Sequence, residues 1–154
     1  MKERTLIIIK PDAVNRTIIG DIIHRFELKG FKIIGMKMTH LTPKLLKEHY
    51  AHHATKSFYP RLEKFMSQCP TVLMVLEGNG VVEAVRVMCG PTHGLKALPG
   101  TIRGDYSLSM QNNIVHTSDD VEAAKQEIAR FFKPEELFDY NRIDTEMLYS
   151  EEER

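Results

Sequence analysis

The stretch from Arg103 to Ile128 most constrains the chain, because it delivers a strongly amphipathic helix after a glycine-punctuated segment. Val121, Ala124, Ile128 and Phe131 recur at helical spacing. Thr117, Ser118 and Asp119 are each competent N-caps ahead of them, and Asp119 with Glu122 has the spacing of a capping box. His116 stands immediately before that helix start. Free N–H groups and a partial positive charge at a helix N-terminus attract phosphate. The same field keeps a nearby imidazole neutral, hence nucleophilic. His116 is therefore either a phosphoryl acceptor or a side chain filling a strand-to-helix loop, and local spacing alone favours the second.

The rest of the chain alternates short β-rich runs with helical ones. Thr5 to Ile9 reads as a buried central strand, and Pro11 stops it. Lys10, biased to extended backbone before that proline, can point into a cleft above the sheet or simply into solvent. Ile18 to Lys29 reads as a helix that buries Ile19, Ile22, Ile23 and Phe26 and stops at Gly30. Phe31 to His40 is a second strand. Thr42 then caps, and Pro43 opens, a helix running to about Ala51. His49, His52 and His53 crowd its end, but no carboxylate or cysteine is spaced to complete a metal site, so they read as solvated helix-end side chains. A helix carrying Leu62, Phe65 and Met66, a strand from Thr71 to Leu76, a turn at Gly78 to Gly80 and a helix from Val81 to Met88 with Arg86 on it follow. Gly90 to Gly104 has no pattern, and a long irregular loop in a compact domain is usually functional. Tyr106 to Met110 alternates as a fourth strand, and a brief helix is expected from Glu135 to Phe138. The order β-α-β-α-α-β-α-loop-β-α predicts an α+β fold, a ferredoxin-like α/β sandwich whose four-stranded antiparallel sheet is covered by helices. One domain is expected over residues 1–154, with a tail from about residue 141 extending over the surface and loose at its tip.

Composition excludes little but narrows the field. The 21 basic and 21 acidic side chains cancel, so nothing draws the whole molecule to nucleic acid or to a membrane surface. A ferredoxin-like nucleic-acid module would need a basic face with exposed strand aromatics, and this composition argues against that as the main role. Cys69 and Cys89 follow no metal or redox spacing and read as buried reduced thiols. Thr5 to Ile9 is too short for a signal sequence and no run approaches a membrane span, so a cytoplasmic location is expected.

Four motifs carry a resemblance that reverses the local odds on His116 and Lys10. They are Ile9-Lys10-Pro11-Asp12-Ala13-Val14, Arg25-Phe26-Glu27, Pro99-Gly100-Thr101-Ile102-Arg103-Gly104-Asp105 and Asn113-Ile114-Val115-His116-Thr117-Ser118-Asp119. The last resembles the active-site signature Asn-x-x-His-x-Ser-Asp of nucleoside diphosphate kinases, and the likeness extends from Glu3 to Tyr140. It implies Mg²⁺-dependent ping-pong transfer of the γ-phosphoryl group from nucleoside triphosphates to nucleoside diphosphates (ATP, GTP, ADP and others) through a phosphohistidine at His116. A covalent intermediate splits such a transfer into two similar half-reactions served by one site.

The resemblance also assigns roles residue by residue. Lys10, Arg86 and Arg103 match the basic residues around the phosphates, where an arginine fork suits phosphate oxygens. Thr92 and Asn113 match contacts to phosphate and ribose, and Tyr50 matches a tyrosine beside the histidine. Glu127 matches the glutamate that binds the other imidazole nitrogen, reachable only if the loop folds over, and Ser118 its serine neighbour. Phe58 matches the aromatic on which the base stacks, with Leu62 and Met110 beside it. Stacking tolerates every base, which implies broad specificity. Mg²⁺ is expected to arrive with the nucleotide, without a dedicated protein cage. The resemblance further implies a homo-oligomer, a hexamer built as a trimer of dimers or alternatively a tetramer. Lys56, Ser57, Gly94, Gln111 and Thr117 depart from the common pattern. Thr117 stands where glycine is usual and is expected to alter rate or stability, since glycine tolerates backbone angles that threonine does not. Gly94 is expected to loosen the long loop.

Overall fold

The computed structural model describes residues 2–154. Its axis is β1 (Lys2–Ile9). β1 pairs antiparallel with β3 (Thr71–Asn79) along its whole length, from Lys2 opposite Asn79 to Ile9 opposite Val72. On its other edge lies β4 (Val115–Thr117), with Ile8 opposite His116. β2 (Lys32–Thr39) flanks β3, with a register shift between Ile33 and Gly35. The sheet order is β2-β3-β1-β4, antiparallel throughout. Leu6 to Ile9 are buried on both faces, which is why that run is continuously apolar rather than alternating.

The described residues form eight helices around the sheet: α1 (Pro11–Asn15), α2 (Ile19–Lys29), α3 (Pro43–His49), α4 (Tyr59–Ser67), α5 (Val81–Cys89), α6 (Ile102–Tyr106), α7 (Val121–Phe131) and α8 (Thr145–Leu148). The alternation of β1 sorts them into two cores. Ile7 and Ile9 pack with Ile22 and Phe26 of α2 and with Val82 and Val85 of α5. Leu6 and Ile8 pack on the opposite face with Leu46 of α3, Phe65 and Met66 of α4, and Ile128 and Phe131 of α7. Each such side chain contributes about 1.5–3 kcal/mol when fully buried. The predicted ends of two helices hold. Thr42 accepts the Leu45 N–H at 3.2 Å ahead of Pro43, and Gly30 stops α2 at φ 93°.

The fourth strand is not where the alternation placed it. Tyr106 ends α6, whose cap is Thr101 accepting the Gly104 N–H at 3.0 Å. Beyond it Leu108 and Met110 are exposed and Ser107 is buried, the reverse of a strand facing the core. The hydroxyls of Ser107 and Ser109 bind backbone groups of residues 109–112 and take the place of a ladder. His116 accordingly lies on a strand, not in a loop. The cap of α7 is Asp120, which accepts the Ala123 N–H at 2.8 Å; Asp119 is left free to pair with Arg86. That helix end meets its own carboxylate, so attraction of an anion falls to side-chain cations instead.

Other expectations need correction. Thr117 lies in extended β4 backbone; among the described residues only Thr17 and Ile114 are non-glycines with positive φ. Gly94 does not loosen its loop: a Cβ there would lie 2.3 Å from the Ser107 carbonyl oxygen, and the Gly94 N–H donates to the Ser109 carbonyl at 3.1 Å. The Gly90 to Gly104 segment contains a 3-10 turn at Gly94–Lys96 and the start of α6. A 3-10 turn at Pro134–Glu136 replaces the helix expected after Lys133. Cys89 is buried but Cys69 is partly exposed, and both are free thiols. The tail is tied down to its tip: Arg142 donates to the Gly30 carbonyl at 2.6 Å and Asn79 to the Glu153 carbonyl at 2.5 Å. Among the described residues no helix is long and apolar enough to cross a membrane.

Candidate active site

The β1–β4 register sets the site. Because His116 opposes Ile8, its side chain emerges on the face where α3 and α7 pack. α7 runs back over that face and brings Glu127 to His116 Nε2, at 3.0 Å for Oε1 and 3.1 Å for Oε2. Ser118, two residues along from His116, donates its hydroxyl to Glu127 Oε2 at 2.6 Å. Burial disfavours charge on Glu127, yet the hydrogen bond and field of His116, the Ser118 hydroxyl and nearby His49 hold its carboxyl below the ordinary value. An ionised carboxylate can only accept, so the shared proton sits on Nε2, and in the neutral ring the lone pair is then on Nδ1.

The chain just before His116 is bent sharply. Ile114 has φ 75°, and the Val115 N–H donates to the Asn113 carbonyl at 2.8 Å, closing a γ-turn. A buried β-branched residue in that conformation costs roughly 1–3 kcal/mol. The surroundings hold it there. Asp12 accepts the Ile114 N–H at 3.1 Å, and the Lys10 N–H donates to the Ile114 carbonyl at 2.9 Å. Arg103 donates to three carbonyls, those of Gly90 at 2.6 Å, Val115 at 2.8 Å and Asn113 at 3.3 Å. Arg103 thus ties α6, the long loop and the γ-turn together. The motifs are joined elsewhere too: Arg25 of α2 pairs with Asp105 at 2.5 Å and donates to the Gly100 carbonyl at 3.2 Å.

These elements enclose a cavity of about 730 Å³. Eleven of the twelve site residues expected from the resemblance line it: Lys10, Tyr50, Phe58, Leu62, Arg86, Thr92, Arg103, Met110, Asn113, His116 and Glu127. Ser118 stands behind, reaching the cavity through Glu127. Asn113 bridges two of the others, accepting from Lys10 Nζ at 2.6 Å and donating to the Thr92 carbonyl at 2.9 Å. Burial, then the charge of Arg103, pull the Lys10 ammonium down to about 8 against the opposing pull of Asp12. An anion beside it would relieve both causes. Tyr50 has a buried hydroxyl without a partner among the described residues, and burial, followed by Glu127 and Tyr59, pushes its pKa up.

Sequence reasoning passed over several residues of the site. Asp12 and Asp119 lay inside the motifs but carried no assigned role. His49 is not solvated; its side chain is 1% exposed, wedged edge-on against His116 with ring centres 4.6 Å apart. Nor is the histidine cluster without a carboxylate: His49, His116 and Glu127 present ligand atoms within 4.8 Å of one another. The trio suits a metal poorly. Glu127 is taken by His116 and Ser118, and the Arg130 guanidinium stands 3.4 Å from His49 Nδ1, where it repels a cation. No sequence period signals His49, because its neighbours come from α7 and β4.

The comparisons with known proteins agree with one another. The family model described as nucleoside diphosphate kinase matches residues 3–137. A nucleoside diphosphate kinase of Rhodopirellula baltica is 48% identical over 151 residues, covering 98% of this chain and 99% of the relative. One from Pyrococcus horikoshii is 52% identical over 143 residues, 91% of each chain. The solved structure of a halophilic nucleoside diphosphate kinase from Halobacterium salinarum in complex with CDP superposes with a TM-score of 0.94 at 41% identity, covering 97% of this chain and 99% of that one.

Proposed function

The chain belongs to the nucleoside diphosphate kinase family, and from that premise we propose how its residues carry out the transfer. The enzyme moves the γ-phosphoryl group of a nucleoside triphosphate to a nucleoside diphosphate by a ping-pong route. In the first half-reaction His116 Nδ1 attacks the γ-phosphorus. The N–P bond forms, the bond to the β–γ bridging oxygen breaks, and the diphosphate departs. In the second, a terminal oxygen of another diphosphate takes the phosphoryl group and restores the imidazole. The observation that carries this reading is the hydrogen bond from Nε2 to Glu127 at 3.0 Å. It leaves Nδ1 as the nucleophilic nitrogen and spreads the positive charge that builds on the ring onto a carboxylate.

The remaining roles follow from charge and position. Lys10, Arg86 and Arg103 line one cavity and supply the positive field that phosphoryl transfer chiefly requires. Arg86 must exchange Asp119 for phosphate, and Arg103 contributes as much by holding the γ-turn as by its charge. The unpartnered Tyr50 hydroxyl is a donor for a bound phosphate, and Thr92 and Asn113 serve phosphate and ribose. Phe58, Leu62 and Met110 form the apolar end on which a base of any kind stacks. A divalent cation accompanies the nucleotide in this family, and Mg²⁺ fits this donor set. The cavity carboxylates are Glu127, committed to His116, and Asp119, the one able to hold the ion's water shell. Held beside Asp119, the ion would supply positive charge to offset that of the phosphates.

We further take the chain to act as one domain within a homo-oligomer, a hexamer in preference to a tetramer, and in the cytoplasm, with neither nucleic acid nor membrane as its main partner. The exposed Leu95, Leu98 and Leu108 around the long loop support assembly through that face. The deciding experiment is a single-turnover incubation with γ-labelled ATP and Mg²⁺ and no acceptor. Acid-labile, base-stable label at His116, discharged by a diphosphate and absent from a folded His116→Ala variant, is expected. Label elsewhere, or transfer retained by that variant, would overturn the assignment.

A further inference from the structure

Glu127 has a competitor on its own helix. Arg130 lies three residues further along α7, the spacing at which side chains of one helix meet. Its side chain is only 19% exposed. A largely buried guanidinium beside a buried carboxylate is expected to close on it in a paired geometry. It does not do so here. Arg130 forms only a loose ion pair with the exposed Glu48, 3.6 Å from Nε and beyond hydrogen-bonding reach. Arg130 Nη1 instead points at His49 Nδ1, 3.4 Å away. That same nitrogen stands 3.9 Å from Glu127 Oε1. His49 therefore occupies the space between the arginine and the carboxylate.

The ring is wedged tightly in place. Its centre lies 4.6 Å from that of His116, 4.5 Å from Tyr50 and 5.0 Å from Phe131, each at a steep interplanar angle. Burial, reinforced by the charges of His116, Arg130 and His52 and only partly opposed by Glu127, brings its pKa to about 3. It therefore stays uncharged and does not claim Glu127 as a cation of its own.

We infer that His49 is a positioning residue, an uncharged spacer that accepts the Arg130 N–H and so reserves Glu127 for His116. Without it, Arg130 closes on Glu127. The carboxylate then no longer orients Nε2–H or offsets the charge that builds on the imidazole. The inference rests on His116 being the residue phosphorylated.

The test is a double-mutant cycle on the full chain, read as the rate of label incorporation from γ-labelled ATP with Mg²⁺ in a single turnover. ADP affinity is measured in parallel by calorimetry, and the fold is checked by circular dichroism. Loss of a charge-assisted hydrogen bond to Glu127 is expected to slow labelling of His49→Ala about tenfold or more while leaving ADP affinity unchanged. Arg130→Met is expected to label like the wild type. The double variant is expected to recover to within about threefold of Arg130→Met, because the competitor is gone. A merely structural role predicts the opposite, since removing a second side chain from the same packing would add to the damage. His49→Asn, which keeps an acceptor for Arg130 in a smaller side chain, is expected to stay near the wild type and serves if the alanine variant does not fold. Wild-type protein that takes no label overturns the assignment of His116, and this inference with it. Wild type that labels, with His49→Ala equally fast, overturns this inference alone. So does a double variant no faster than His49→Ala, or a His49→Asn variant as slow as the alanine is predicted to be.

Discussion

Lys10 offers the sharpest quantitative check on the site, because its charge is held against burial. Lys10 is 8% exposed, and its pKa falls from 10.5 to about 8 through desolvation first and the repulsion of Arg103 second. In the unfolded chain it titrates normally. Between pH 8 and 10.5 the unfolded state therefore binds more protons than the folded one, and stability rises with pH through that window. At about 1.36 kcal/mol per pKa unit, the penalty for the buried charge is about 3 kcal/mol below pH 8 and vanishes above 10.5. Other groups also titrate in this range, so the quantity to measure is a difference. Denaturant unfolding of the wild type and of Lys10→Met at intervals from pH 7 to 10.5 isolates it. The advantage of the methionine variant over the wild type should shrink by about 3 kcal/mol across that range. The loss of the donor to Asn113 adds a constant that does not depend on pH. With Lys10 in the role proposed for it beside the phosphates, binding of a nucleoside triphosphate should take up a proton and weaken above pH 8. A flat difference curve, together with binding that ignores pH, would refute the picture of Lys10 as a buried cation waiting for phosphate.

Three further substitutions probe the frame around it. Arg103→Ala orphans three carbonyls near the γ-turn and should cost at least about 2 kcal/mol as well as weakening nucleotide binding; unfolding curves and kinetics that both match the wild type would remove it from the site. Gly94→Ala pushes a Cβ to 2.3 Å from the Ser107 carbonyl and should destabilise by about 1–3 kcal/mol, read as a lower midpoint in urea. Thr117→Gly should lower stability by about 0.5–1 kcal/mol rather than relieve strain, because Thr117 sits in extended β4 backbone; a gain in thermal midpoint would contradict that.

Much of this molecule is legible in its local chemistry. Thr42 and Pro43 open α3, Gly30 closes α2, and the apolar run of β1 marks the buried centre of the sheet, because caps, stops and burial leave residue types at fixed short spacings. The four motifs likewise carry residues that line one cavity. The failures share a cause. β4 is three residues long, too short for a period-2 pattern, and exists because β1 offers it an edge with Ile8 opposite His116. Tyr106 to Met110 alternates convincingly, yet among the described residues it joins no strand of the sheet, and serine hydroxyls bind the backbone there instead.

His49 shows the same limit at the site itself. Three histidines near a helix end read as solvent-facing, and nothing in the neighbouring sequence says otherwise. What buries His49 is α7, which crosses the sheet with Glu127 and Arg130 on the side that meets α3. The sequence alone determined most of the helices, the three long strands and the motif residues that line one cavity. Only the tertiary structure decided which strand completes the sheet, how the γ-turn is held and which neighbour each buried charge keeps. Those outcomes depend on contacts between segments distant in sequence, and such contacts impose no periodicity on the chain.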